Sequence, residues 1–202
     1  MKPGDRPDPF TVRAQKAGYP ARSVYKLEEI DRRCRLTRQG LAVLDLGAAP
    51  GSWTKYLAEK VGPRGRVVAL DQNPLKVACG PVVTALELDV TTASLGDLAL
   101  LGPFGLVVSD LAPHTTGIRD ADVFHSVELV DRAIAIADAT LAPGGNFVAK
   151  IFQGEGFDRV RADLRARFGT VRVLKPEASR KESTEVYLVG LGRKAPPPAA
   201  SP

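Results

Sequence analysis

From Leu41 onward, short runs of β-branched residues and leucine alternate with longer segments whose apolar positions recur at helical spacing. The runs LAVLDLG (41–47), RVVALD (66–71), VVTALELD (82–89), FGLVVSD (104–110) and NFVAKIF (146–152) predict the first five strands of a parallel sheet with helices on both faces. Helices are expected over 52–61, 92–101, 123–141 and 155–168, with Gly and Pro punctuating the last two. TVRVLK (170–175) and EVYLVGLG (185–192) then close the chain as a strand pair. This order predicts an α/β fold, with a mostly parallel seven-stranded sheet flanked by helices.

Ahead of the sheet, YPARSVYKLEEIDRRCRL (19–36) predicts one helix with Pro20 near its first turn. Val24, Leu27, Ile30 and Cys34 form its apolar stripe, and Arg22, Lys26, Glu29 and Arg33 recur beside it. Residues 1–12 are expected to be a flexible arm, 13–194 a single domain, and the Pro/Ala-rich 195–202 a disordered tail.

Composition adds bounds. With 44% hydrophobic and 25% charged residues, a chain of 202 residues supports one sizeable core. No apolar run approaches the length of a membrane span, and MKPGDRPDPF has no apolar stretch of the secretory kind, so a cytoplasmic protein away from membranes is expected. Cys34 and Cys79 allow at most one bridge and are expected to be idle thiols, while His114 and His125 are too few for a metal centre. Location matters more than total charge: residues 1–38 hold ten basic and five acidic side chains, and the remainder holds eighteen of each. A basic segment beside a neutral domain suits a phosphate backbone, with a merely solvated helix face as the alternative.

The chemistry gathers where the predicted strands end. DLGAAPGSW (45–53) follows the first strand and opens a helix, so Gly47 and Gly51 permit a tight turn close to a ligand. It lacks the G-x-G-x-x-G spacing that seats a pyrophosphate, which weakens an NAD-dependent oxidoreductase reading. Asp45, Asp71, Asp89 and Asp110 crowd the carboxyl edge of the sheet, where open α/β folds bind ligands. Such a cluster repels a triphosphate and suits a cationic ligand that carries a ribose and an adenine. Asp71 is placed to accept both ribose hydroxyls and Asp89 to reach an adenine amino group, although Asp89 also reads as an N-cap. Lys150 stands in a buried strand on the same edge as Asp110, Glu185 begins the last strand, and Lys26 lies on the helix that can cover the edge. Two lysines and two carboxylates balance, which is how buried cations are tolerated.

ARSVYKLEEI, VLDLGAAPGSW, VVSDLAPHTTG, LAPGGNFVAKIFQGEG and KPEASRKESTEVYLVGLGRK, in that order, resemble the FtsJ-type ribosomal RNA 2′-O-methyltransferases, also called RrmJ or RlmE. The resemblance runs from about Arg13 to Lys194. It implies a Rossmann-like class I S-adenosylmethionine-dependent methyltransferase fold with an N-terminal basic helix. It also implies a catalytic tetrad of Lys26, Asp110, Lys150 and Glu185, and a cofactor site of Gly51, Trp53, Asp71, Asp89 and Asp110, with no metal. The implied activity is methylation of a ribose 2′-hydroxyl, that of a uridine in 23S ribosomal RNA, by a monomer acting on ribosomal RNA or the large subunit. PGSW stands where many relatives carry a second glycine, which places Ser52 against the methionine end of the cofactor.

In this reading Lys150 removes or steers the hydroxyl proton, Lys26 modulates it electrostatically, and the carboxylates orient the amines. An unperturbed lysine has a pKa of about 10.4. It is a base near neutrality only where its cationic form is disfavoured, and a second ammonium nearby does that. His114 competes for the role of base but has no orienting partner in the sequence, so it is assigned to loop lining. Transfer RNA, an mRNA cap, and RNA binding without catalysis are the alternatives of partner and function.

Overall fold

The computed structural model describes residues 8–180 and 182–195. The chain begins with helices α1 (Pro9–Lys16) and α2 (Val24–Cys34), followed by β1 (Ala42–Leu46), α3 (Ser52–Val61), β2 (Arg66–Asp71) and β3 (Val83–Glu87). It continues through α4 (Leu95–Ala99), β4 (Phe104–Ser109), α5 (Arg119–Thr140), β5 (Leu141–Phe152), α6 (Phe157–Arg167), β6 (Phe168–Leu174) and β7 (Glu185–Arg193). The seven strands form one sheet in the order β3-β2-β1-β4-β5-β7-β6. Strands β1 to β5 run parallel, while β7 is antiparallel to both β5 and β6.

Strand alternation sorts the buried side chains into two layers. Leu44, Leu46, Leu70, Val107, Phe147, Ala149 and Ile151 meet α5 and α6 through Val130, Ala133, Ile134 and Leu164. Val43, Val67, Leu106, Val108, Val148 and Tyr187 meet the helices α1 to α3 through Ala14, Leu27, Ile30, Trp53 and Leu57. Burying each such large aliphatic side chain contributes roughly 1.5–3 kcal/mol. Lys150, two residues after Val148, falls on the layer that faces α2.

Several expectations need correction. The helix expected over 19–36 begins at Val24, because the Ala21 N–H donates to Ser52 Oγ (2.8 Å) and Ser52 Oγ donates to the Ala21 carbonyl (3.1 Å). Those two backbone groups are taken by a side chain, so Pro20 lies in a preceding bend and Arg35 ends the helix in the left-handed region (φ 55°). Ser52 is thereby buried as a strut between α3 and this bend, not set against a ligand. The boundary drawn at residues 12/13 cuts through α1, whose start is marked by Asp8 and Pro9: Asp8 Oδ2 accepts from Thr11 N and Oγ1, both at 2.9 Å. Residues 1–7 and 196–202 of the expected arm and tail lie outside the described residues.

Helix α4 is shorter than the expected 92–101, and its cap is Ser94, whose Oγ accepts from Asp97 N (3.3 Å). Asp89 is two residues beyond β3 and turns the chain by accepting from Thr91 N and Oγ1 (2.8 and 2.6 Å), so it is not the N-cap of α4. Strand β5 starts at Leu141, five residues earlier than expected, across an irregular register with β4.

Candidate active site

The sheet order reverses direction between β1 and β4, and the loops leaving these strands diverge there. A cleft of about 1040 Å³ opens at this point, lined by Gly47, Ala49, Asp71, Leu88, Val90 and Asp110 among others. Gly47 (φ 74°) is required by close packing: a Cβ there would lie 2.9 Å from Leu111 Cδ2 and 3.1 Å from Leu111 N. Gly51 (φ 108°) precedes α3, and its Cβ would lie 2.7 Å from Val77 Cγ1. Its missing side chain therefore makes room for the 74–77 loop rather than for a ligand.

Asp71 anchors two loops at the cleft, accepting from Ala49 N (3.0 Å) through Oδ2 and from Asn73 N (2.8 Å) through Oδ1. Asp89 stands beside the lining residues Leu88, Val90 and Thr91, and its bonds from the Thr91 hydroxyl and N–H hold its pKa below the usual carboxylate range. The Trp53 side chain does not face the cleft. Its indole is buried, Nε1 donates to the Ser23 carbonyl (2.8 Å), and the ring lies 5.8 Å from that of Tyr187. Any ligand contact by Trp53 is left to its backbone in the first turn of α3.

Charge distinguishes the cleft. Arg132 is the one Lys or Arg among its described lining residues, and its guanidinium is already bonded to the Val90 (2.7 Å) and Ala93 carbonyls. Asp45, fully buried on the α3 face, accepts from Thr54 Oγ1 (2.7 Å) through Oδ2, while Oδ1 has no partner among the described residues. Burial raises its pKa to about 7, and the nearby Asp110 and Asp71 add to the shift. The pocket suits a ligand that brings positive charge and hydroxyl donors, and it is unsuited to a polyphosphate.

The four residues of the expected tetrad meet as two ion pairs. Lys150, with 8% of its surface exposed, donates to the Asp110 carbonyl (2.7 Å) and lies 3.2 Å from Asp110 Oδ1. Lys26 reaches from α2 to Glu185, 2.7 Å from Oε1 and 2.9 Å from Oε2, and Ser179 Oγ donates to Oε1 (2.8 Å). Lys150 is the third residue from the end of β5 rather than the last, so it pairs in register with Tyr187 of β7.

Tyr187 is the member of the site that sequence reasoning missed. Its hydroxyl donates to Asp110 Oδ1 (2.7 Å), and the Lys26 ammonium lies 5.9 Å from its ring centroid. Burial, followed by the charges of Asp110 and Glu185, pushes its pKa well up, so it remains a donor. The available signal was strand alternation, which puts residues 185 and 187 on the same face. His114 is exposed on the cleft wall.

A sheet of this order, with a carboxylate-lined cleft beside a lysine-carboxylate cluster, defines the Rossmann-like methyltransferase class. The FtsJ-like methyltransferase family model matches residues 19–193, and the chain belongs to that family. It is 51% identical over 193 residues to the ribosomal RNA large subunit methyltransferase E of Sorangium cellulosum, covering 96% of this chain and 91% of that protein. It is 50% identical over 188 residues to the protein of the same name from Nitratidesulfovibrio vulgaris, covering 92% and 94%. The crystal structure of a ribosomal RNA methyltransferase from Plasmodium falciparum shares the fold, with a TM-score of 0.76 at 22% identity, over 87% of this chain and 98% of that one. The protein is a methyltransferase, and the dinucleotide oxidoreductase reading falls away. No described helix is long and apolar enough to cross a membrane.

Proposed function

We propose that this protein methylates a ribose 2′-hydroxyl of large-subunit ribosomal RNA, that of a uridine in 23S RNA, as a cytoplasmic monomer using S-adenosylmethionine. The convergence of Lys150 and Tyr187 on Asp110, at the mouth of an acidic cleft, carries this reading. The names of the two bacterial relatives, at about half identity over most of their length, support the RNA assignment. S-adenosylmethionine, when bound, supplies a methyl group on a cationic sulfonium. Asp71 would hold its ribose, Asp89 and the neighbouring Leu88–Thr91 segment its adenine, and Asp110 and the backbone of residues 47–53 its amino-acid end. A described lining that carries Asp71, Asp110 and Glu128, and whose single Lys or Arg is already bonded, fits such a guest.

The chain's own residues do the rest. Lys150 sits where an incoming hydroxyl meets the cleft, and its amine accepts or steers the hydroxyl proton. Asp110 cannot follow that proton freely, because Tyr187 and Lys150 both pin it, so it fixes the direction of the amine. Glu185 and Ser179 hold the Lys26 ammonium in place beside the Tyr187 ring. Orientation of the hydroxyl supplies much of the acceleration. The face of α1 and α2 takes the RNA backbone: Lys16, Arg32, Arg35 and Arg38 are exposed and form no ion pair among the described residues.

The test is incubation of the purified protein with labelled methyl donor and large subunits that lack the modification. Label in an alkali-resistant dinucleotide supports the reading, and label on a base or none at all contradicts it.

A further inference from the structure

Near the start of α5 an aromatic ring faces solvent at the rim of the cleft, outside the residues so far assigned. Phe124 is 60% exposed and Ile118, the residue before the helix, 66%. Isolated apolar side chains are ordinary on a protein surface, so position has to decide what they mean. The next residue, His125, lines the cleft, and its ring meets that of Phe124 edge-on (5.9 Å, 66°). The preceding residue, Val123, is buried, and a Cβ on Gly154 would lie 2.8 Å from its Cγ1. Ser126 Oγ accepts from Phe152 N (2.9 Å), at the end of the strand that carries Lys150. Phe124 is therefore seated between the ligand cleft and the strand that delivers the reacting lysine.

The seat is rigid. Asp122 accepts from Thr116 N (2.7 Å) and Thr116 Oγ1 (2.9 Å), which fastens the 111–118 loop to the helix. It is also the wrong charge for a phosphate, since Asp120, Asp122 and Glu128 lie in these turns against Arg119. The basic excess belongs to the amino-terminal segment of α1 and α2, on the other face of the sheet. A strand whose backbone follows α1 and α2 across the carboxyl edge must turn something other than phosphate toward α5. Unstacked bases offer a neutral π-face, and aromatic side chains are the usual partners for them in single-stranded RNA.

We propose that Phe124 is a stacking platform for an unpaired base of the substrate strand next to the ribose being methylated, with His125 bracing the ring. This rests on the proposed RNA 2′-O-methyltransferase activity. Phe124 acts as a positioning and selectivity residue; it touches neither the methyl donor nor the reacting hydroxyl.

The experiment compares wild type with Phe124→Ala, Phe124→Leu, Phe124→Tyr and Phe124→Trp, using a large-subunit RNA fragment as substrate. Loss of one base stack should lower kcat/KM for RNA roughly five- to hundredfold in the Ala and Leu variants. The Tyr and Trp variants should stay close to wild type, and the dissociation constant for S-adenosylmethionine should not change in any of them. The chain has one tryptophan, the buried Trp53, so Phe124→Trp adds an exposed reporter whose fluorescence should be quenched by RNA well beyond that of wild type. An Ala variant as active as wild type, a Leu variant as good as Tyr, or an unquenched Trp would each overturn the platform. A wild-type protein that methylates no RNA, together with a quenched Phe124→Trp, would sink the activity while leaving the platform standing.

Discussion

Lys150 and Tyr187 face each other across the β5–β7 ladder and share one oxygen, Asp110 Oδ1, at 3.2 and 2.7 Å. A carboxylate oxygen held by both a cation and a phenol is fixed in direction as well as in charge. The amine it faces is thereby held against Asp110, a residue that lines the cleft.

Tyr187→Phe removes only the phenolic donor. Leaving the other half of a buried hydrogen bond unsatisfied costs about 1–3 kcal/mol. If that cost falls on the transition state, kcat should drop by about one to two orders of magnitude. Affinity for S-adenosylmethionine, measured by calorimetry, should stay at the wild-type value. An unchanged kcat would show that Asp110 needs no help from Tyr187.

The second ion pair, Lys26 with Glu185, is nearly buried and bridges α2 to β7. Removing one partner strands the other charge, a loss of about 3–5 kcal/mol, whereas replacing both leaves nothing uncompensated. Lys26→Met and Glu185→Gln should therefore each destabilise the protein more than the double variant does, as measured by urea unfolding. Additive single losses would show that the pair is exposed to water and contributes little.

Much of the fold was legible because strand periodicity and helix punctuation survive in the sequence: α3 and β2 fall on their expected residues, and Glu185 begins its strand as expected. Boundaries were missed where a side chain outcompeted the backbone ladder. Ser52 taking both groups of Ala21 shortened α2, and the Asp8–Pro9 cap lengthened the ordered amino terminus into α1. Asp110 and Lys150 were found as neighbours because both lie toward the carboxyl edge of adjacent parallel strands. Their bridge through Tyr187 was not, since a tyrosine in an apolar strand reads as core until its cross-strand partner is known. Trp53 shows the converse: a residue in the right motif can spend its side chain on the α2 packing instead.

Asp45 makes a pH prediction. Its pKa is raised to about 7, above the unfolded value, so the folded state holds a proton that the unfolded chain releases near pH 4. Stability from this group is present in full below about pH 4 and is lost progressively as pH rises through about 7. Asp45→Asn should thus be close to wild type at pH 4 and more stable than wild type at pH 8, by chemical denaturation of the ligand-free protein. A stability difference that does not grow with pH would place the proton elsewhere.

The basic amino-terminal face predicts a salt effect separable from chemistry. Arg22 and Arg33 are paired with Asp8 (3.0 Å) and Glu29 (3.2 Å), so Arg32 and Arg35 are the better first targets. Each phosphate left unneutralised when an arginine is replaced by glutamine should flatten the log-log salt dependence of RNA binding by about 0.7–0.9. Cofactor affinity should not move. Equal slopes would make α2 a solvated face and shift docking toward Lys175, Arg180 and Lys181, the last of which lies outside the described residues.

The central claim is that the Lys150 amine acts on the hydroxyl proton, and Lys150→Met tests it by keeping the stem and deleting the charge. The measurement is single-turnover methyl transfer to large-subunit RNA, paired with calorimetric binding of S-adenosylmethionine by the same protein. Transfer should fall by at least about a hundredfold while the cofactor binds within about twofold of wild type. Transfer at the wild-type rate with intact binding would contradict the account.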